Sequence, residues 1–374
     1  MTVDQTRVAP ARLAPGLTLR RGSAIGSVRR TGPRAVALFV GLSVALVVMV
    51  VISAGRGQVD IPPAQVLGSI FHRVGLPWGH LPTQPYGDAT LWDVRFPRIG
   101  MGLLVGGALA AAGALMQGVF GNPLAEPGVV GVSSGAAFAA AIVIVFDLGF
   151  LGTWTTPAFA FVGGLITTLV VYLLSRAGGR TEVVTLVLTG IAVNAVCGAG
   201  LAFMIFLADS SARDQIVFWQ LGSLNGSRWV YTAVVSPFVL AGLVGAFWLS
   251  RRLDVLALGD RTARHVGIDV ERLRLAVIVL VALLTAAAVS FAGMIGFVGL
   301  VVPHLIRMTV GPGHRVLVPA SALGGALLLT CADLVARTAV STADLPIGML
   351  TSLVGGPFFF WLLRRSRRSA GGWA

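Results

Sequence analysis

Residues 95–136 read RFPRIGMGLLVGGALAAAGALMQGVFGNPLAEPGVVGVSSGA. After Arg98 the chain runs to residue 118 without a charged side chain. That length is what an α-helix needs to cross the hydrocarbon core of a bilayer. Pro123 and Pro127 then prevent the helix from continuing, and a second apolar run follows them. We therefore expect two membrane spans that are joined by a proline-containing turn.

The composition extends this interpretation to the whole chain. Of 374 residues, 56% are hydrophobic and only 11% are charged, whereas about 25% of the residues in a soluble domain are charged. All 28 basic residues are arginine, so the lysine of a Walker A phosphate loop is missing and the chain cannot bind ATP through such a loop. We assign the net charge of +13 to cytoplasmic loops rather than to nucleic-acid binding.

Hydropathy and charge together predict an all-α integral membrane protein with ten transmembrane helices and with both termini in the cytoplasm. With this topology, 21 arginines lie on the inner side and seven on the outer side, which is a strong positive-inside bias. The permease domain is expected at 35–365, between an arginine-rich tail at 1–34 and a short tail at 366–374. The ten runs lie at about 35–53, 98–118, 129–147, 157–175, 183–207, 229–249, 275–293, 296–310, 316–336 and 346–363.

Small residues and glycine junctions suggest how these helices pack. The pairs Gly102/Gly106 and Gly131/Gly135 would allow close approach of helix backbones. The run 296–310 is short and follows a glycine-rich junction, which is typical of a broken helix in a transporter.

The largest inner loop, 251–274, reads RRLDVLALGDRTARHVGIDVERLR. Its amphipathic pattern predicts two short helices, broken at Gly259 and Gly267, that present a surface to a cytoplasmic partner. A solvated loop lying on the membrane face is the alternative.

Three arginines, Arg95, Arg98 and Arg337, lie on the outer side against the charge bias. They could anchor the protein to lipid headgroups or pair with carboxylates of an external partner. No predicted span carries a carboxylate at its centre, which counts against ion coupling. Cys197 and Cys331 show neither metal-ligand nor disulfide spacing, and no catalytic set of residues is visible.

Five stretches in order resemble the FecCD-type ABC importer permeases, and the resemblance runs from about residue 35 to 365. They are the opening stretch at 95–136, LGDRTARHVGIDVERLR at 258–274, GMIGFVGLVVPHLIR at 293–307, ADLVAR at 332–337 and DLPIGMLTSLVGGPFFFWLL at 344–363.

The resemblance implies a type II ABC importer permease fold and a pair of permeases, identical or related. Two ATPase subunits and an extracytoplasmic substrate-binding protein would complete the transporter. The permease itself would be no enzyme and would bind no cofactor or metal, because the partner ATPase uses the ATP. The outer arginines would dock the binding protein. The ATPase-coupling surface would be Leu258–Gly267, in which Gly259, Asp260, Ala263 and Gly267 are the matching positions. Leu258 and His265 are further candidate coupling residues.

Two of these coupling positions depart from the family, which more often has Glu and Ser where this chain has Asp260 and His265. The fifth span resembles the pathway-lining helix of the family, and its candidate pore residues are Thr189, Gly190, Val193 and Asn194.

The resemblance places the protein in the bacterial cytoplasmic membrane. Its expected cargo is a metal chelate. Ferric siderophore is the family's commonest cargo and the one we favour, ahead of haem and cobalamin. An ion-coupled secondary transporter and an integral-membrane enzyme remain as competing readings. A permease should be inert without its ATPase, whereas the other two should be active alone.

Overall fold

A computed structural model describes residues 31–177, 180–340 and 343–369. Of the predicted tails, residues 1–30 and 370–374 lie outside these ranges. Within the ranges the chain forms fourteen α-helices. In chain order they are α1 Thr31–Gly55, α2 Pro63–Arg73, α3 Gly87–Ala89, α4 Phe96–Phe120, α5 Val132–Val145, α6 Thr155–Leu174, α7 Val183–Leu207, α8 Ser210–Leu221, α9 Trp229–Leu256, α10 Asp260–His265, α11 Val270–Ala292, α12 Val298–Val310, α13 His314–Thr338 and α14 Ile347–Ser369.

Each of the ten predicted apolar runs coincides with a helix, namely α1, α4, α5, α6, α7, α9, α11, α12, α13 or α14. In the described ranges, seven helical segments are long and apolar enough to cross a membrane. The helices α5 and α12 and the apolar part of α14 are shorter. The all-α membrane architecture is confirmed, whereas the count of ten crossings and the side of the termini stay predictions.

Short elements connect the helices. A π-helical turn, Thr90–Arg95, leads into α4, and a 3-10 turn, Pro127–Val130, precedes α5. A second 3-10 turn, Gly152–Trp154, precedes α6. Two antiparallel two-residue strands, β1 Arg176–Ala177 and β2 Arg180–Thr181, lie directly before α7.

Helix α4 lies at the centre, and α9, α11, α12 and α13 surround it. It is uncharged after Arg98 and rich in glycine and alanine, so neighbouring backbones can touch it. A Cβ added to Gly106 would lie 2.2 Å from the carbonyl oxygen of Gly325 on α13. One added to Gly113 would lie 1.8 Å from that of Gly299 on α12. The packing role predicted for Gly106 is confirmed.

The peripheral helices expose apolar side chains. In the most apolar 18-residue stretch of α1, only 6% of the residues are buried inside the chain, and in that of α7 only 17% are. Exposing so much apolar surface to water would be unfavourable, whereas lipid tails or another apolar subunit would cover it. The exposed surface is therefore that of a membrane protein.

The chain is not helical between α11 and α12, at residues 293–297. Gly293 has a φ of +70°, and a Cβ there would lie 2.2 Å from the carbonyl oxygen of Trp219. Phe297 also has a positive φ, of 65°, which is uncommon for a residue other than glycine. The broken helix expected from the glycine-rich junction is confirmed.

Candidate functional site

The segment 251–274 contains one short helix instead of the two that the sequence predicted. Residues 251–256 extend α9 and residues 270–274 begin α11, so α10 alone lies between them. The second helix is missing because the flanking helices α9 and α11 continue into the segment from both sides and take up its ends. Gly259 and Gly267, with φ values of +106° and +85°, make the two turns that separate α10 from α9 and α11.

The predicted ATPase-coupling residues divide into a buried and an exposed set. Ala263 is fully buried in the main apolar cluster, which holds α10 against the bundle. Leu258 is 69% exposed, and His265 is also exposed. A Cβ on either flanking glycine would meet open space. The outer face of α10 is therefore open to a partner, although its role in ATPase coupling stays a prediction.

Asp260 faces inward from the first turn of α10. Both of its carboxylate oxygens accept hydrogen bonds from Nη2 of Arg274, at 3.1 and 2.9 Å. Nη1 of Arg274 donates to the carbonyl oxygen of Thr181, at 3.0 Å. Arg274 is 8% exposed, whereas the Asp260 side chain is 41% exposed and also lies 3.8 Å from Nη2 of Arg264. The bonds to Asp260 are charge-assisted, and water reaches them from the Asp260 side.

The three outer arginines form one cluster with two carboxylates. Nε of Arg98 donates to Asp333 at 2.8 Å, and Nη1 of the same side chain donates to Asp344 at 2.7 Å. Nε of Arg337 lies 3.5 Å from the second Asp333 oxygen. We call Arg95, Arg98, Arg337, Asp333 and Asp344 the outer arginine cluster. It holds one positive charge in excess.

Two members of this cluster bind the end of α1. Arg95 donates to the carbonyl oxygens of Ala54 and Val59. Arg337 donates to the carbonyl oxygen of Arg56 at 2.6 Å and to both oxygens of Ser53. The last carbonyls of a helix lack partners within the helix, and cations near them also complement the helix dipole. The cluster thus has a structural task, and docking of a binding protein by its arginines stays a prediction.

The candidate pore residues on α7 lie against the turn that precedes α5. A Cβ on Gly190 would lie 1.9 Å from the carbonyl oxygen of Val129. Nδ2 of Asn194 donates to the carbonyl oxygen of Gly128 at 3.2 Å, and its Oδ1 accepts from Ser134.

The other two candidates, Thr189 and Val193, are half-buried. The open face of α7 instead carries Leu188, Ile191 and Val196, which are 58–72% exposed. All four predicted residues therefore contact or approach the inside of the bundle, and their role in a pathway stays a prediction.

Glu126 forms a long-range polar contact that could not be predicted from the sequence. It lies just before the 3-10 turn, and its Oε1 accepts a hydrogen bond from the backbone N–H of Phe297 at 3.3 Å. Burial raises the pKa of the Glu126 carboxyl, and the Phe297 N–H acts in the opposite direction. Glu126 thus joins the turn between α4 and α5 to the break before α12. The motif NPLAEP was visible in the sequence, but its long-range partner was not.

In the described ranges, no group of three or more His, Cys, Asp or Glu side chains could hold a metal ion. Cys197 and Cys331 are free thiols. The expectation that the chain binds no cofactor stays a prediction.

Comparisons with known proteins agree with this architecture. A family model described as the FecCD transport family matches residues 45–365. The hemin transport system permease protein HmuU of Yersinia pestis is 42% identical over 286 residues, which cover 75% of this chain and 85% of that protein. The cobalamin import system permease protein BtuC of Halobacterium salinarum is 37% identical over 367 residues, which cover 90% of this chain and 98% of that protein.

A solved structure shows the same fold. An inward-facing conformation of a metal-chelate type ABC transporter matches with a TM-score of 0.77 and 33% identity, and it covers 88% of this chain and 99% of that one. The family model covers most of the chain, and both relatives exceed 30% identity over most of their length. The chain therefore belongs to the FecCD transport family and is an ABC transporter permease, a multi-pass protein of the bacterial cytoplasmic membrane.

Proposed function

We propose that this permease imports a metal chelate and that a separate ATPase supplies the energy. The similarity to a hemin permease over 85% of that protein's length carries this proposal. The similarity to a cobalamin permease over 98% of its length supports it independently. The absence of lysine from the chain supports a separate ATPase, because a Walker A loop needs that residue.

The cargo that we propose is a tetrapyrrole chelate, haem before cobalamin. Ferric siderophore, which the sequence favoured, is the second candidate. The names of the two relatives support this order, since one carries hemin and the other cobalamin. The exposed apolar face of α7 is compatible with a bulky chelate, because it offers no fixed charge that would trap one.

The described surface offers places for the proposed partners. Leu258 and Val266, which flank the two ends of α10 and are 69% and 63% exposed, are apolar side chains that suit contact with an ATPase subunit. The exposed apolar side chains of α7, and those of α14 at Leu353, Val354 and Phe360, which are 68–74% exposed, suit a second permease copy or a homologous permease. The excess positive charge of the outer arginine cluster suits an acidic binding protein.

Purification from the native membrane tests the proposal. We expect an ATPase and an extracytoplasmic binding protein to co-purify with the chain, and we expect the isolated binding protein to retain or rebind haem. A binding protein that takes only ferric siderophore would replace the proposed cargo. Recovery of the chain without an ATPase would contradict the proposed energy source.

An ion gradient is the alternative energy source for this permease, and Glu126 is the observation that bears on it. Carboxylates within transmembrane segments are common sites of ion coupling, and Glu126 lies partly buried in the turn between two such segments, α4 and α5. In our proposal Glu126 instead accepts the Phe297 N–H and needs no charge to do so. Glu126→Gln should therefore keep ATP-driven uptake near the level of the unmodified transporter. Loss of gradient-driven uptake in this variant would support ion coupling.

A further inference from the structure

Arg274 connects three elements at the end of the molecule that carries α10. It lies in the first turns of α11, and its guanidinium binds Asp260 of α10 through two hydrogen bonds. The same guanidinium binds the carbonyl oxygen of Thr181, two residues before α7 begins at Val183. One side chain thus joins α10 to the start of α7 across α11.

A second side chain of α11 completes the attachment of Thr181. Oε2 of Glu271 accepts a hydrogen bond from the backbone N–H of Thr181 at 2.9 Å. Its Oε1 lies 3.5 Å from Nη1 of Arg274. Both backbone groups of Thr181 are therefore held by charged side chains, so the residue is fixed to α11 from two directions.

The two helices that Arg274 joins face each other across open space. A cavity of about 420 Å³ lies between the start of α7 and α10, and both Arg274 and Asp260 line it. The guanidinium is planar and presents its donors in a rigid fork, which makes it a stiff connection. A continuous hydrogen-bonded path therefore runs from Asp260 of α10 through Arg274 to Thr181.

We propose that Arg274 is a positioning residue that transmits movement of α10 to the start of α7. We call Asp260, Arg274, Glu271 and Thr181 the α10–α7 clamp. The inference rests on the proposed function in one respect, since the ATPase is what would move α10. The clamp makes α10 and the first turn of α7 move as one unit between transport states. Without the clamp, α10 moves and α7 does not follow.

The test uses the complete transporter, with its ATPase and binding protein, in proteoliposomes. Arg274→Gln removes the positive charge and the forked donors of the guanidinium. Because hydrogen bonds to a charged group are lost, we expect the amount of cargo imported per ATP hydrolysed to fall by about tenfold or more. ATP hydrolysis itself should persist. Arg272→Gln is the matched control, because Arg272 lies in the same turn, has an 89% exposed side chain and pairs only with Asp269 among the described residues.

A distance measurement separates positioning from general damage. Spin labels are placed at Val184, on the first turn of α7, and at Thr262, on α10, after Cys197 and Cys331 have been replaced by serine. We expect the distance between the labels to be the same with and without ATP in the unmodified clamp. It should change on ATP binding in Arg274→Gln.

The outcomes decide between the two proposals. If Arg274→Gln imports the normal amount of cargo per ATP, the clamp is refuted while ATP-driven import stands. If the transporter with an intact clamp shows no ATP-driven uptake, the proposed function fails instead. Should Arg274→Gln not assemble, Asp260→Asn takes its place. It weakens the contact of Arg274 with α10, and also the 3.8 Å pair of Asp260 with Arg264, but it leaves both bonds to Thr181 in place. It is judged by the same two measurements.

Discussion

The ion pair between Arg98 and Asp333 allows a sharp prediction about stability. The Asp333 side chain is only 3% exposed, and Arg98 binds it at 2.8 Å. Arg98→Met keeps most of the volume of the side chain but removes the charge. The carboxylate is then left with Arg337 at 3.5 Å as its remaining charged partner among the described residues.

The expected loss follows from the cost of an unpaired buried charge. Removing one partner of a buried ion pair costs about 3–5 kcal/mol. Because Arg337 still faces the carboxylate, we expect the lower end, about 3 kcal/mol in the free energy of unfolding. At about 1.4 kcal/mol per factor of ten, the folding equilibrium changes by more than a hundredfold.

Unfolding of the detergent-solubilised protein in mixed SDS micelles, followed by the fluorescence of its eight tryptophans, measures this loss. Asp333→Asn in the Arg98→Met background should recover a large part of the stability, because it removes the more deeply buried of the two carboxylates that Arg98 binds; Asp344, whose side chain is 31% exposed, keeps its charge. Arg56→Gln is the control: its pair with Asp60 is about two-thirds exposed on both sides, so the change should stay below about 1 kcal/mol. Equal stability of Arg98→Met and the unmodified protein would refute the reasoning.

Three further predictions concern packing, the turn before α10 and the outer surface. Gly113→Ala should destabilise the protein by about 1–3 kcal/mol through overpacking, because its Cβ would lie 1.8 Å from a backbone oxygen of α12. Gly198→Ala on α7, where a Cβ meets open space, should not, and the same SDS titration compares the two. Gly259→Val forces a β-branched residue to a φ of +106°. The amount of cargo taken up per ATP should fall while membrane insertion persists. Normal uptake would show that α10 is not part of the coupling pathway. Asp344→Asn removes one negative charge from the outer arginine cluster and so raises its net positive charge by one; the binding protein should bind more tightly at low salt, and the gain should vanish at high salt. An unchanged affinity at low salt would argue against electrostatic docking.

Much of the fold could be predicted because membrane spans depend on local composition. The uncharged run after Arg98 and the glycine-rich junction at Gly293 are visible within 20 residues of sequence. Both correspond to what the structure shows, a central helix and a broken one. The error in 251–274 arose at the same local level. Gly259 and Gly267 were correctly identified as breaks, but hydropathy does not show that α9 and α11 extend to meet them.

The contacts of the candidate site could not be predicted, because they join residues far apart in sequence. Arg98 and Asp333 are separated by 235 positions, and Glu126 and Phe297 by 171. The sequence indicated that the outer arginines lie against the charge bias and must have binding partners. It could not show that these partners are carboxylates and helix-end carbonyls of the same chain. The orientation of Asn194 toward the turn before α5 likewise depends on packing that composition does not encode.

We expect this permease to import its cargo only when an ATPase drives it. The most direct measurement is uptake of radiolabelled haem by proteoliposomes that contain the permease, its co-purified ATPase and its binding protein. Uptake is compared with ATP supplied and no ion gradient, and with a proton gradient and no ATP. We predict uptake in the first condition, none in the second, and none from the permease alone in either. Uptake by the permease alone in a proton gradient would contradict the account and identify a secondary transporter.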